Sequence, residues 1–141
     1  MERYTEELLS KFACLDVVEK VRRAADENDA EGFAGAFTAD ATWSRPGVDT
    51  LAGRQAIRDF MARRPGGRVM RHVGGGADAS LTSDTTAVVI SQATIFSTKH
   101  DGGLPAPLPA PTKILEYRDE LVRTPDGWQI ACRTTTDVFA G

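Results

Sequence analysis

Residues 113–139 read KILEYRDELVR-TPDG-WQIACRTTTDVF, and this stretch decides the fold. Two β-patterned runs, Lys113–Arg123 and Trp128–Phe139, flank Thr124-Pro125-Asp126-Gly127. An Asp-Gly pair between such runs predicts a β-hairpin. Upstream, Val, Ile and Thr stay frequent at a spacing near two, so Thr85–Thr98 is a long strand. Arg68–Val73 and Ala77–Thr82 form another, interrupted by Gly74-Gly75-Gly76. Glycines there predict a bulge, a bend or a close backbone approach. Between Thr98 and Lys113 lies HDGGLPAPLPAP, whose prolines exclude a sheet interior and predict a stiff, extended loop.

The first half has a helical period. Cys14, Val17, Val18, Val21 and Ala25 make one apolar stripe, and Asp16, Glu19, Lys20, Arg22 and Arg23 form the solvated face. This helix is expected to end near Asn28. A short second helix would place Phe33 and Phe37 as i,i+4 partners. A strand follows over Ala41–Ser44 and is broken by Arg45-Pro46-Gly47. A third helix runs from about Gly53 to Arg64 and stops at Pro65-Gly66-Gly67. Helices followed by a meander of long strands predict an α+β domain. Strands well above the usual length of about 5–6 residues must twist and coil. Such a strongly curved, mostly antiparallel sheet with three helices across one side would be a cone-like barrel enclosing a pocket.

At 141 residues the chain is expected to be a single domain, 1–141. Its formal net charge of -3 argues against nucleic acid as a partner. No apolar stretch approaches the roughly 20 residues of a membrane span, and MERYTEELLSKF lacks the order of a signal peptide. Cys14 and Cys132 fit no zinc or redox spacing. These features predict a cytoplasmic protein with both thiols buried and free and with no metal.

Two residues stand out for chemistry. His72 shares strand parity with Met70, whereas Val69, Arg71 and Val73 point the other way. Imidazole moves protons near neutral pH, although a histidine here also reads as a surface or hydrogen-bonded side chain. Arg133 alternates with Ala131 and Thr135, opposite in parity to Trp128, Ile130 and Cys132. It would either meet a developing negative charge or pair with Asp119, Glu120 or Asp137. Trp43 reads as a wall residue, and Tyr117 as a donor to a substrate carbonyl or a packed sheet tyrosine. Arg54, Arg58, Arg63, Arg64, Arg68 and Arg71 form a basic run that is either a solvated face or an anion dock.

Ala24-Ala25-Asp26-Glu27-Asn28-Asp29, then Phe33, Phe37, Asp40-Ala41 and Trp43, resembles the opening of the SnoaL-like families. These belong to the nuclear-transport-factor-2-like superfamily of cone-shaped domains. The resemblance continues through Gly53-Arg54, Ile57, Phe60, Arg71-His72, Tyr117 and Asp119, and closes on Asp126-Gly127-Trp128, Ile130 and Arg133. It implies that Asp26 and His72 form an acid-base pair and that Trp43 and Arg133 belong to the pocket. Periodicity alone leaves Asp26 at the edge of the helix stripe, roughly 100° from its centre. Two positions depart from the family pattern. Val21 stands where a tyrosine or lysine is common, unless that residue is offset to Lys20, and Gly74–Gly76 stands where an asparagine follows the histidine. The expected pocket is therefore His72, Asp26 and Arg133 with Trp43, Tyr117, Val21 and Met70.

The resemblance implies a cofactor-independent lyase or isomerase, dehydratase- or cyclase-like, acting on a small, largely apolar substrate. The alternative is a non-catalytic ligand-binding or accessory protein. A homodimer is expected in either case.

Overall fold

Four strands of 12 to 14 residues carry the architecture: β3 (Arg68–Leu81), β4 (Thr86–Lys99), β5 (Lys113–Thr124) and β6 (Gly127–Ala140). The computed structural model describes residues 1–140. Three helices, α1 (Glu2–Asp26), α2 (Ala30–Gly35) and α3 (Arg54–Ala62), and two short strands, β1 (Phe37–Ser44) and β2 (Leu51–Ala52), complete it. The six strands form one sheet in the order β2-β1-β6-β5-β4-β3. Every pairing is antiparallel except β1 with β6. The α+β cone expected from the sequence is therefore the fold observed, with the long hairpin at its centre.

Some boundaries move for local reasons. α1 ends at Asp26 because Asn28 takes a positive φ of 56°, and Asp29 then caps α2 by accepting from the Gly32 N–H at 2.9 Å. Phe37 is not a helical partner of Phe33: α2 stops at Gly35, and Phe37 opens β1, four residues before the strand start expected at Ala41. Their rings still meet, with centroids 5.4 Å apart. Tertiary pairing with β6 draws Phe37 into the sheet despite the unpromising Thr38-Ala39-Asp40 that follows.

Two bulges decide which side chains face inward. In β3, Gly74 pairs with Ala93 but Ala77 pairs with Ser91, so the glycine run holds one extra residue. Gly76 has a φ of 116°, a conformation open mainly to glycine. Gly74 has a different setting: the Arg22 guanidinium, at the flexible end of its side chain, occupies the space a Cβ would take. The second bulge corrects the parity expected for Arg133. Leu121 pairs with Ile130 but Glu120 pairs with Cys132, which leaves Ala131 as the extra residue. One extra residue reverses the alternation. Arg133 and Thr135 consequently share the buried face with Trp128 and Ile130 instead of opposing it.

The main core packs Cys14, Val18, Val21, Phe33, Phe37, Ile57 and Leu121 between the helices and one half of the sheet. A second cluster, Ala93, Ile95, Leu115 and Tyr117, lies farther along the strands. Within the buried row of β5, Asp119 is wholly inaccessible. Its carboxylate accepts from Arg133 Nε at 2.7 Å and Nη2 at 3.1 Å. A fork-to-fork pair of this kind is the geometry in which a buried ion pair offsets most of its desolvation.

Asp119→Asn is expected to destabilise the protein by roughly 3–5 kcal/mol in urea unfolding, because it strands a buried guanidinium. The double variant Asp119→Leu/Arg133→Met should recover much of that loss. A pH effect arises at Cys14, where burial pushes the thiol from 9.0 up to about 11. The unfolded chain releases this proton first, so its contribution is complete below pH 9 and disappears as pH rises to about 11. The melting temperature should fall over that interval, and fall less in Cys14→Ala.

Candidate active site

Between the helices and the concave face of the sheet lies a cavity of about 960 Å³. That is at the upper end of ligand pockets, with room for a ligand of two or three rings. Phe33, Trp43 and Phe60 make one wall, with Trp43 5.3 Å from Phe33 and edge-on to Phe60 at 5.7 Å between ring centroids. Met70, Ile95 and Leu115 supply further apolar surface. Trp43 is fixed by its Nε1–H, which donates to Thr135 Oγ1 at 3.0 Å.

His72 lines this cavity from β3, the edge strand. Asp26, the last residue of α1, stands behind it. Asp26 Oδ1 lies 2.5 Å from His72 Nδ1. Both carboxylate oxygens also accept from the His72 backbone N–H, each at 3.1 Å. One carboxylate thus holds the ring and the main chain of the same residue. Their side chains are only 9% and 13% exposed, so the bond is nearly dry. With Nδ1–H donated to Asp26, the tautomer that results leaves Nε2 as a bare acceptor.

Asp26 lines a small outer groove with Arg71, Glu27 and the other edge of His72, and not the main cavity. It can orient the imidazole but is not placed to touch a ligand in the cavity. Met70, Trp43, Tyr117 and Arg133 do line the cavity. Val21 does not: its place on the apolar α1 stripe leaves it fully buried in the main core, the cluster that also holds Phe33 and Ile57. Tyr117 lies under Arg133, whose guanidinium carbon is 4.4 Å from the ring centroid. Burial raises the Tyr117 pKa and Arg133 offsets part of that rise, so the phenol is a neutral O–H donor at neutral pH.

The basic run splits into separate structural contacts. Arg54 donates to the Phe37 carbonyl at 2.8 Å, and Arg58 pairs with Glu31 and Asp59. Arg64 reaches under α1, donating to the Ala25 carbonyl at 2.6 Å and to Asn28 Oδ1 at 2.9 Å, beside Met70. It clamps the turn that carries Asp26. The sequence left Asp119 as one of three possible partners of Arg133 and gave Arg45 no role. Asp119 carried a signal, an acid in register with Leu115, Tyr117 and Leu121 on an apolar face. Arg45 carried none, because Arg45-Pro46-Gly47 reads as a strand terminator. Among the described residues no three His, Cys, Asp or Glu side chains gather as around a metal ion, and no helix is long and apolar enough to cross a membrane.

Solved structures share this architecture at low sequence identity. A nuclear transport factor 2-like protein with a cystatin-like fold from Novosphingobium aromaticivorans is 20% identical, with a TM-score of 0.77 over 93% of this chain and 83% of that one. A scytalone dehydratase-like protein from the same organism is 17% identical, with a TM-score of 0.79 over 98% and 90%. ActVI-ORFA of Streptomyces coelicolor is 20% identical, with a TM-score of 0.74 over 98% of both chains. At these identities the likeness establishes the fold alone. No curated protein matches the chain. The SnoaL-like domain matches residues 6–134, nearly the whole sequence, and the chain therefore belongs to the SnoaL-like family.

Proposed function

We propose that the protein is a cofactor-independent lyase or isomerase that moves a proton with His72. The observation that carries this reading is the 2.5 Å contact between His72 Nδ1 and Asp26, made behind an imidazole that lines a largely apolar cavity. Nε2 takes a proton from a carbon next to a carbonyl, or from carbon adjacent to a leaving hydroxyl. Asp26 holds the ring in the productive tautomer and balances the imidazolium that forms. Tyr117 donates to the oxygen that gains charge. Arg133 lies over that ring and strengthens the donor, its own charge shared with Asp119. The proton then returns at another atom, giving isomerisation or ring closure, or leaves with water, giving dehydration. The dehydratase named among the structural neighbours fits this class of chemistry.

The base can be tested before the substrate is known. Incubation with an apolar cyclic ketone such as 2-tetralone in D2O reports carbon deprotonation as deuterium incorporation, read by NMR. His72→Ala should slow enzyme-dependent exchange by roughly 10²–10⁴ while leaving the fold intact. Exchange that persists in this variant rejects His72 as the base. Ligand binding without any exchange favours the carrier reading.

Asp26→Asn supplies a second measurement. A carboxamide can donate to Nδ1 and so stabilise the opposite tautomer. The ¹⁵N–¹H correlation pattern of His72 is expected to change from Nδ1–H to Nε2–H, with exchange falling in parallel. An unchanged tautomer with unchanged exchange would remove Asp26 from the mechanism.

A further inference from the structure

Most cations that line the cavity already have partners. Arg22 pairs with Glu19, Lys113 with Asp137 and Arg133 with Asp119. Arg64 donates through Nη2 to both the Ala25 carbonyl and Asn28 Oδ1 and through Nη1 to Met70 Sδ, although its Nε, too, is buried without a partner. Arg68 is exposed at the rim and donates to Ser97 Oγ at 3.1 Å. Arg45 has neither a carboxylate partner nor a short hydrogen bond. It follows β1 two residues after Trp43, so both side chains turn to the same side. Its guanidinium carbon lies 4.1 Å from the Phe60 ring centroid and 5.3 Å from that of Trp43. Its recorded hydrogen bond is a long one, from Nη2 to the Asp49 carbonyl at 3.4 Å. Its Nε is buried and has no partner.

The aromatic rings cover the flat face of this guanidinium and keep water from it, while the donors around its edge stay in plane. Burial lowers the Arg45 pKa, the mark of a cation short of hydration. The carboxylates that line the same cavity are already matched: Asp16 with Lys20, Glu19 with Arg22 and Asp137 with Lys113. A planar anion is the group that would satisfy an edge-on fork held against an aromatic wall.

We propose that Arg45 is the anion-binding residue of this cavity and that its ligand is an aromatic or polycyclic carboxylate. The carboxylate lies in the guanidinium plane and takes the two Nη donors. The ring system lies along Trp43, Phe60 and the apolar surface that leads to Met70. This deepens the function proposed above, resting on the same cavity, by naming the substrate class. Its test reads binding alone, so failure of the proton chemistry at His72 and failure of the Arg45 site are separate results.

The test is calorimetric titration with naphthalene-2-carboxylate and with its neutral isostere naphthalene-2-carboxamide. The acid should bind roughly tenfold or more tightly than the amide at neutral pH. Arg45→Met keeps the apolar stem over Phe60 and should abolish that preference while leaving amide binding in place. Arg45→Lys keeps the charge without the fork and should retain part of it. Three outcomes would overturn the proposal: no binding of the acid, equal affinities in the wild type, or a preference that survives Arg45→Met.

Discussion

The Asp26 carboxylate holds His72 twice, by its ring nitrogen and by its backbone N–H, and the site depends on that double contact. β3 is an edge strand, and edge N–H groups ordinarily face water. Here one of them is closed off by a carboxylate from the end of α1, so the acid that orients the imidazole also docks helix to sheet. A carboxylate at the C-terminal end of a helix stands at the negative pole of the helix dipole, which is unfavourable for it. The two N–H donors of His72 compensate, and the nearby Arg64 guanidinium clamps the same turn. Gly74 leaves room beside it for the Arg22 guanidinium of α1.

The two bulges are the other constraint on the site. A long strand with strict alternation would give one continuous inner row. An inserted residue in β3 and another in β6 shift that row part-way along each strand. Below the shifts, Ala79, Trp128 and Ile130 fill the core. Above them, His72, Arg133 and Thr135 face the hollow. The same strands therefore build a sealed end and a polar-lined end, and bulges also increase the local bend that closes a sheet into a cone.

This explains what the sequence could and could not disclose. The hairpin at Asp126-Gly127, the long strands and the glycine interruption are local signals, and the structure keeps them. The pairing of Asp26 with His72 spans forty-six positions and had no periodic signature; only the resemblance implied it. The inward face of Arg133 was implied by the resemblance but not by strand alternation, because the extra residue at Ala131 leaves no trace in composition. Val21 entered the expected pocket only through the resemblance, and its place on the apolar α1 stripe, which is buried in the core, was the better guide. Arg45 was hidden most deeply, since a residue before Pro-Gly reads only as the end of a strand.

Charge inside the cavity adds a final constraint on chemistry. Arg133 is buried, and burial alone would weaken its charged form; Asp119 beside it outweighs that and holds it protonated. A cation balanced in this way is a poor anchor for a full ligand charge, because a second carboxylate would have to compete with one already in contact. It remains suited to a charge that appears only briefly, delivered through the Tyr117 hydroxyl, since a fixed and partly neutralised dipole needs no reorganisation as the reaction proceeds. Arg45 has the opposite character. No carboxylate pairs with it and it cannot discard its proton at neutral pH, so it favours a ligand that brings its own negative charge. Permanent and transient charges on one bound molecule would then be met by different arginines, and the proton between them would belong to His72.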